Sequence, residues 1–342
     1  MLIADTGNVV GRLISSDGIA FCASHTITFI GDKPGLHTAA GRDVAGIVSV
    51  TDLAIDVQHF VVTPMQLASP ALFVDTLQAR KHDSHKGSYG DVLVLGGDNG
   101  MAGAVLLAAR TALYAGSGRV YAAFVGTAPT HDARQPELMC RSAGDLDFGK
   151  SIIVAGPGLG TSEKSNAALL NALRQANPSV LDADALNLIA AHPALQTLVA
   201  QHAASILLTP HPLEAARLLG CSTAAIQTDR IAAAITLAQR YRATVILKGS
   251  GTVIAGADGA VVINSTGNPA LATGGSGDVL AGLCGALLAQ GWPVWQAAIG
   301  AVWLHGRAAD TLVAQGCGPI GLTASELPAA IRQALNVLQK SS

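Results

Sequence analysis

Aromatic residues are scarce in this chain: Phe, Tyr and Trp make up 4% of its 342 residues, and Asp, Glu, Lys and Arg only 13%. With a formal net charge of −2, it lacks the basic field that nucleic acid requires and the polybasic anchor that an acidic membrane surface attracts. The five cysteines, Cys22, Cys140, Cys221, Cys284 and Cys317, are odd in number and form no CxxC pair, which argues against a disulfide framework or a zinc site. A reducing, cytoplasmic setting fits that usage. No uncharged apolar run reaches the ~18 residues that span a bilayer, and Asp5 interrupts the start where a signal peptide needs an apolar core. Hydrophobic residues nevertheless make up 50% of the chain, enough for a substantial core in one large or two smaller domains. A soluble protein acting on small molecules is the expectation.

From about Ser84 onward, short apolar runs alternate with helical patterns. Val92–Leu95, Val120–Phe124, Ile152–Ala155, Val180–Leu181, Ile206–Leu208 and Val245–Leu247 read as strands. Between them, near Gly103–Tyr114, Ser165–Arg174, Leu213–Leu219 and Asp229–Arg240, apolar positions recur at three and four residues. That alternation predicts an α/β fold with a largely parallel central sheet and helices on both faces. Glycine-rich breaks between Thr244 and Asn264 predict antiparallel hairpins at a sheet edge, and Ala297–Val313 and Ser325–Leu338 predict closing helices before a fraying end at Lys340. The first 75 residues differ. His25–Ile30 and Ile47–Leu53 read as strands around a turn at Lys33-Pro34-Gly35, a small α/β piece that either docks on the main domain or stays partly disordered. Pro64 and Pro70 mark Val62–Asp75 as a linker.

The stretch Gly267–Asp278 concentrates the chemistry. Gly274, Gly275 and Gly277 let consecutive N–H groups converge, and Val279, Leu280, Leu283 and Leu287 start a helix whose N-terminus favours an anion. Asp278 then either caps that helix or acts as a general base toward a hydroxyl attacking phosphorus. Lys248-Gly249-Ser250-Gly251-Thr252 puts an ammonium and a hydroxyl at a strand end, for a nucleotide or for a plain hairpin; it is not a Walker loop. Gly96–Gly100 and Gly156–Gly160 also end strands, where open α/β sheets collect ligands, but Thr161 occupies the third glycine position of a dinucleotide fingerprint. His211 either touches substrate or caps a helix with Glu214. Asp182 and Asp184 read as helix caps, Arg80 to Lys86 as a solvated basic entry, and Met101 and Met139 as core or cleft lining.

Eight motifs now stand in order: His85–Gly90, Gly103-Ala104, Pro136–Met139, Gly156–Gly160, Leu181–Asn187, His211–Glu214, Lys248–Thr252 and Asn268–Asp278. In that order they resemble the ADP-dependent NAD(P)H-hydrate dehydratases of the ribokinase-like superfamily, over about residues 76–339. The resemblance implies dehydration of the S epimer of NADHX or NADPHX, with ADP becoming AMP and phosphate, and magnesium as cofactor with ligands unassigned. It places ADP at Lys248, Gly249, Ser250, Gly251 and Thr252 and at Asn268, Pro269, Ala270, Leu271, Ala272, Thr273, Gly274, Gly275, Ser276 and Gly277. It places the hydrate at Ala104, Gly158, Gly160, His211 and Asp278, with Asp278 catalytic. A homo-oligomer is expected, a tetramer among the assemblies allowed.

Residues 1–60 resemble the carboxyl-terminal part of an NAD(P)H-hydrate epimerase domain through Asp5-Thr6-Gly7, Thr26–Phe29, Lys33–Leu36 and Val50–Leu53, with 61–75 as linker. The epimerase substrate loop is not found in them, so the resemblance implies no epimerase activity. Two other functions remain open: a ribokinase-like kinase for a thiamine-precursor alcohol, and a silent nucleotide-binding subunit.

Overall fold

A computed structural model describes residues 2–5, 22–55 and 65–341. The N-terminal unit runs β1 (Leu2–Asp5), β2 (His25–Phe29), α1 (Pro34–His37), α2 (Gly41–Val44) and β3 (Ile47–Thr51), its strands forming a parallel three-stranded sheet. Parallel strands need a crossover, and α1 and α2 supply it. The expected turn at Lys33-Pro34-Gly35 is therefore a helix start, with Pro34 at a first-turn position where its missing N–H costs nothing. Of the resemblance to the epimerase domain, Thr6 and Gly7 lie outside the described residues.

The main unit begins with β4 (Met65–Leu67), β5 (Asp91–Gly96), α3 (Ala102–Tyr114), β6 (Arg119–Phe124), β7 (Met139–Ser142) and β8 (Ile152–Ala155). It continues through α4 (Glu163–Leu173), β9 (Ser179–Leu181), α5 (Ala183–Ala191), α6 (Pro193–Ala200), β10 (Ile206–Leu208), α7 (Pro212–Leu219), α8 (Thr223–Thr228) and α9 (Arg230–Tyr241). It closes with β11 (Thr244–Leu247), β12 (Val253–Ala255), β13 (Val261–Ile263), α10 (Ser276–Ala289), α11 (Val294–Ala314) and α12 (Leu327–Ser341). Helix α12 carries on through Lys340, where fraying was expected.

The ten strands order as β4-β13-β12-β11-β10-β9-β8-β5-β6-β7, antiparallel only where β12 meets its two neighbours. Strand period sorts the core into two layers. Val92, Val94, Ile246 and Val262 face α3, α10, α11 and α12 through Val105, Leu283, Ile299 and Ile331. Leu93, Leu95, Val245 and Val261 face the opposite layer, with Leu169, Leu186, Leu218 and Leu237. No helix among the described residues is long and apolar enough to cross a membrane.

Residues 65–75, expected as linker, belong to this core. Met65–Leu67 pairs in parallel with Val261–Ile263, and Phe73, 1% exposed, packs against Trp292 and Trp303 at ring-centroid distances of 6.0 and 5.8 Å. Of the prolines that suggested a linker, Pro70 opens a 3-10 turn, and Pro64 lies outside the described residues.

Strand order also locates the site. From β5 the chain adds β6 and β7 on one side, then returns to add β8, β9, β10 and β11 on the other. Loops leaving β5 and β8 therefore diverge, and the crevice beyond their carboxyl ends is where an open sheet accepts a ligand.

Candidate active site

Along the same carboxyl edge of the sheet Lys248, the residue after β11, reaches the residue after β9: its Nζ lies 2.6 Å from Asp182 Oδ1, and 3.9 Å from Glu214 Oε2 on α7. Both carboxylates are buried. Burial alone would pull the Lys248 ammonium down, but Asp182, Glu214 and Asp278 hold it above its ordinary value, so it stays charged. The carboxyls respond the other way. Burial first, then the neighbouring Asp182 charge, push Asp278 up to about 7 against the pull of Lys248, and burial pushes Glu214 to about 7 as well. A carboxylate poised near neutrality can take a proton at physiological pH.

Asp278 sits in the first turn of α10, whose N-cap is Gly275 with φ of 90°, and no side chain caps that turn. The capping alternative for Asp278 is thus not realised. A Cβ on Gly277 would stand 3.4 Å from Lys248 Nζ and 3.8 Å from Asp182 Oδ2, so the ammonium flanks the positive end of α10. Asp182 and Asp184 also depart from their expected role as caps. Asp182 occupies the N-cap position of α5, yet its carboxylate binds Lys248 rather than a backbone N–H. Asp184 accepts from Gly160 N at 2.9 Å and so holds the loop after β8. An ion partner from a distant strand overrides local capping.

A cavity of about 510 Å³ opens between the start of α10 and the β11–β12 turn. Lys248, Gly249, Ser250 and Thr252 line one wall, and Asn268, Pro269, Leu271, Ala272, Ser276 and Gly277 the other. Five other residues of the expected nucleotide set do not line it: Ala270 is buried in the core, Gly275 caps α10, Gly251 abuts α1, and Thr273 and Gly274 lie outside the lining. The sequence reading missed Asn264, Thr266, Leu280, Val302, His305 and Gly306, together with Arg42 and Asp43 from the N-terminal unit. Val302, His305 and Gly306 do share one face of α11 by their spacing, but that spacing is also the signature of a core stripe. His305 is 8% exposed, burial pushes its imidazole down to about 4, and its Nε2 has no hydrogen-bond partner among the described residues.

Supporting residues come from far along the chain. Asp310 on α11 accepts from Gly267 N and Asn268 Nδ2, both at 2.9 Å, while Asn268 Oδ1 accepts from Ala270 N, so the Asn268 amide is engaged in holding its own loop. Arg230, buried on α9, donates to the carbonyls of Leu247 and Lys248 at 3.2 Å and steadies the backbone that carries the ammonium.

The expected hydrate wall gathers beside this cavity rather than in it. Gly158 has φ of 57°, and a Cβ there would lie 2.6 Å from Met101 O and 3.2 Å from Ala104 Cβ, so only glycine lets the loop after β8 press on the start of α3. Met101, 41% exposed, belongs to that cleft rather than the core. His211 caps α7: its Nδ1 accepts from Leu213 N and Glu214 N at 3.1 and 3.3 Å. Its Nε2 lies 3.3 Å from Glu214 Oε1, and its ring is 46% exposed at the edge of the Lys248 cluster. Burial and Lys248 hold its pKa below the ordinary histidine value.

A mostly parallel sheet whose late glycine loop opens a helix opposite a lysine and carboxylates is a ribokinase-like architecture. Residues 92–332 match the family model of NAD(P)H-hydrate dehydratase, and the chain belongs to that family. It is 44% identical over 283 residues to the ADP-dependent (S)-NAD(P)H-hydrate dehydratase of Neisseria meningitidis, covering 81% of this chain and 95% of that one. It is 40% identical over 346 residues to the bifunctional NAD(P)H-hydrate repair enzyme of Escherichia coli, covering 98% of this chain and 64% of that protein's length. A crystal structure of the ADP/ATP-dependent NAD(P)H-hydrate dehydratase from Bacillus subtilis, co-crystallised with ATP/Mg2+, superposes with a TM-score of 0.68 at 30% identity, over 80% of this chain and 98% of that one.

Proposed function

We propose that this chain is an ADP-dependent dehydratase of (S)-NAD(P)H hydrate, a carbon–oxygen lyase that restores NADH or NADPH. The observation that carries the reading is Asp278, raised to about 7, in the uncapped first turn of α10 and opposite the charged Lys248. Family membership and the Neisseria meningitidis relative support it.

In this reading the cavity takes ADP, with its phosphates toward Gly277 and Lys248, and the hydrate lies along Ala104, Gly158, Gly160 and His211. Asp278 removes the proton from the ring hydroxyl. That oxygen attacks the β-phosphorus, an O–P bond forms, the bond to the bridging oxygen breaks, and AMP leaves. The carbon–oxygen bond then breaks with loss of a proton from the adjacent ring carbon, releasing phosphate and restoring the dihydropyridine. Lys248 and the N–H groups of α10 stabilise the charge on the transferring group.

Magnesium fits as an ion carried mainly by phosphate oxygens and water, with Asp182 Oδ2 the carboxylate oxygen beside Gly277. Among the described residues no set of three or more His, Cys, Asp or Glu gathers as a metal site. Bound there, the ion would neutralise phosphate charge. Residues 1–60 are read as a remnant of an epimerase domain, a reading supported by the alignment with the bifunctional Escherichia coli relative across 98% of this chain.

The test is NADH absorbance from NADHX with purified protein, magnesium and either ADP or ATP. NADH formation with ADP supports the assignment. A stable phosphorylated product with ATP and a thiamine-precursor alcohol favours a kinase, and ADP binding without phosphate release favours a silent subunit.

A further inference from the structure

The N-terminal unit holds both walls of the nucleotide cavity. On one side, the turn between α1 and α2 crosses the β11–β12 turn: Ala39 N donates to Ser250 O at 2.9 Å and Ser250 Oγ donates back to Ala39 O at 3.3 Å. Gly251, with φ of 64°, meets the His37 carbonyl where a Cβ would stand, so its missing side chain serves this docking. On the other side, Arg42 Nη2 donates to the carbonyls of Ser265 and Gly267 at 2.7 and 2.8 Å. Arg42 and Asp43 themselves line the cavity. One short stretch of chain therefore grips the two loops between which the cavity opens.

We propose that His37–Asp43 is a clamp that sets the width of the nucleotide cavity, and that Arg42 is a positioning residue for a nucleoside diphosphate. The inference rests on the reading of this cavity as the ADP site. Loops pinned before the ligand arrives lose less freedom on binding, so the clamp raises affinity without entering the chemistry. Its guanidinium also leaves a positive charge at the rim, favourable to a polyphosphate. Coupling of this kind is reciprocal: if docking of the unit favours ADP, bound ADP must tighten docking.

Two measurements on the full chain test it. Calorimetry with ADP compares the wild type, Arg42→Ala and Arg42→Lys. Arg42→Ala is expected to raise Kd about tenfold, and KM for ADP with it, while KM for the hydrate and kcat at saturating ADP hold; Arg42→Lys recovers part of the loss. Hydrogen exchange on the wild type needs no variant to fold: adding ADP is expected to slow exchange at the Ala39 amide as well as in 248–252 and 264–277. Unchanged ADP affinity in Arg42→Ala, or protection of those two loops without Ala39, overturns the clamp and leaves the ADP site standing. Absence of ADP binding by the wild type overturns the ADP site and the clamp together.

Discussion

Lys248 Nζ and Asp182 Oδ1 are joined at 2.6 Å across the ends of β11 and β9, with the aspartate side chain 2% exposed. Removing one partner of such a pair leaves an uncompensated buried charge. Lys248→Met is therefore expected to destabilise the fold by about 3–5 kcal/mol in urea denaturation at pH 8. Lys248→Met combined with Asp182→Asn should recover much of that, since the stranded charge is gone. A single-variant loss under about 1 kcal/mol would show that water reaches Asp182 and that the pair is effectively a surface one.

The raised pKa of Asp278 gives activity and stability opposite pH dependences. In the proposed role of a base it would work deprotonated, so kcat/KM should rise with pH through about 7 and then level, falling away on the acid side. For stability the sign reverses. An unfolded aspartate titrates near 3.9, so the folded state binds this proton more tightly, and stability declines as pH rises from about 4 to about 7. Asp278→Asn should abolish turnover, keep ADP binding, and unfold at a higher temperature than wild type at pH 8 but not at pH 4. Retained turnover would remove Asp278 from its assigned role.

Asp310 predicts a separate defect. Its two oxygens hold Gly267 N and Asn268 Nδ2, fixing the loop that leads into α10. Hydrogen bonds to a charged acceptor are worth about 1.5–3 kcal/mol each, so Asp310→Ala should raise KM for ADP at least about tenfold and leave KM for the hydrate unaltered. A parallel rise in both constants would point to general loosening of the site.

The central strands were legible because each is a short apolar run set off from the helical patterns by glycine, proline or polar residues, and the loop before α10 because glycines, an aspartate and a helical stripe fall together. Relationships across the chain were not. Asp182 and Lys248 stand 66 positions apart and Arg42 stands 225 from Gly267, and no local pattern announces either pair. Asp182 does occupy an N-cap position, as its neighbours suggested, but its carboxylate is taken by a cation that only the sheet order brings near. His211 shows the converse: local spacing offered the cap it makes with Glu214 as one of two readings, while the nearness of its ring to Lys248 depends on β10 and β11 being neighbours.

Phe73 tests the segment whose prolines suggested a linker. Its ring is 1% exposed between Trp292, just before α11, and Trp303 within that helix, a concentration of aromatics in a chain that has few. Truncating a buried phenylalanine costs about 3–5 kcal/mol, and Phe73→Ala should lose that much in urea denaturation, with Phe73→Leu losing about 1.5 kcal/mol or less. The effect should also reach the site. Thr266 Oγ1 donates to Trp303 O at 3.0 Å, and Val302, His305 and Gly306 line the cavity from the same stretch of α11. A helix that has lost its packing at Trp303 therefore displaces one wall of the cavity proposed for ADP, and KM for ADP should rise in Phe73→Ala under conditions where it remains folded. If Phe73→Ala kept wild-type stability, residues 65–75 would be a tether laid on the sheet, and the edge strand β4 would be dispensable.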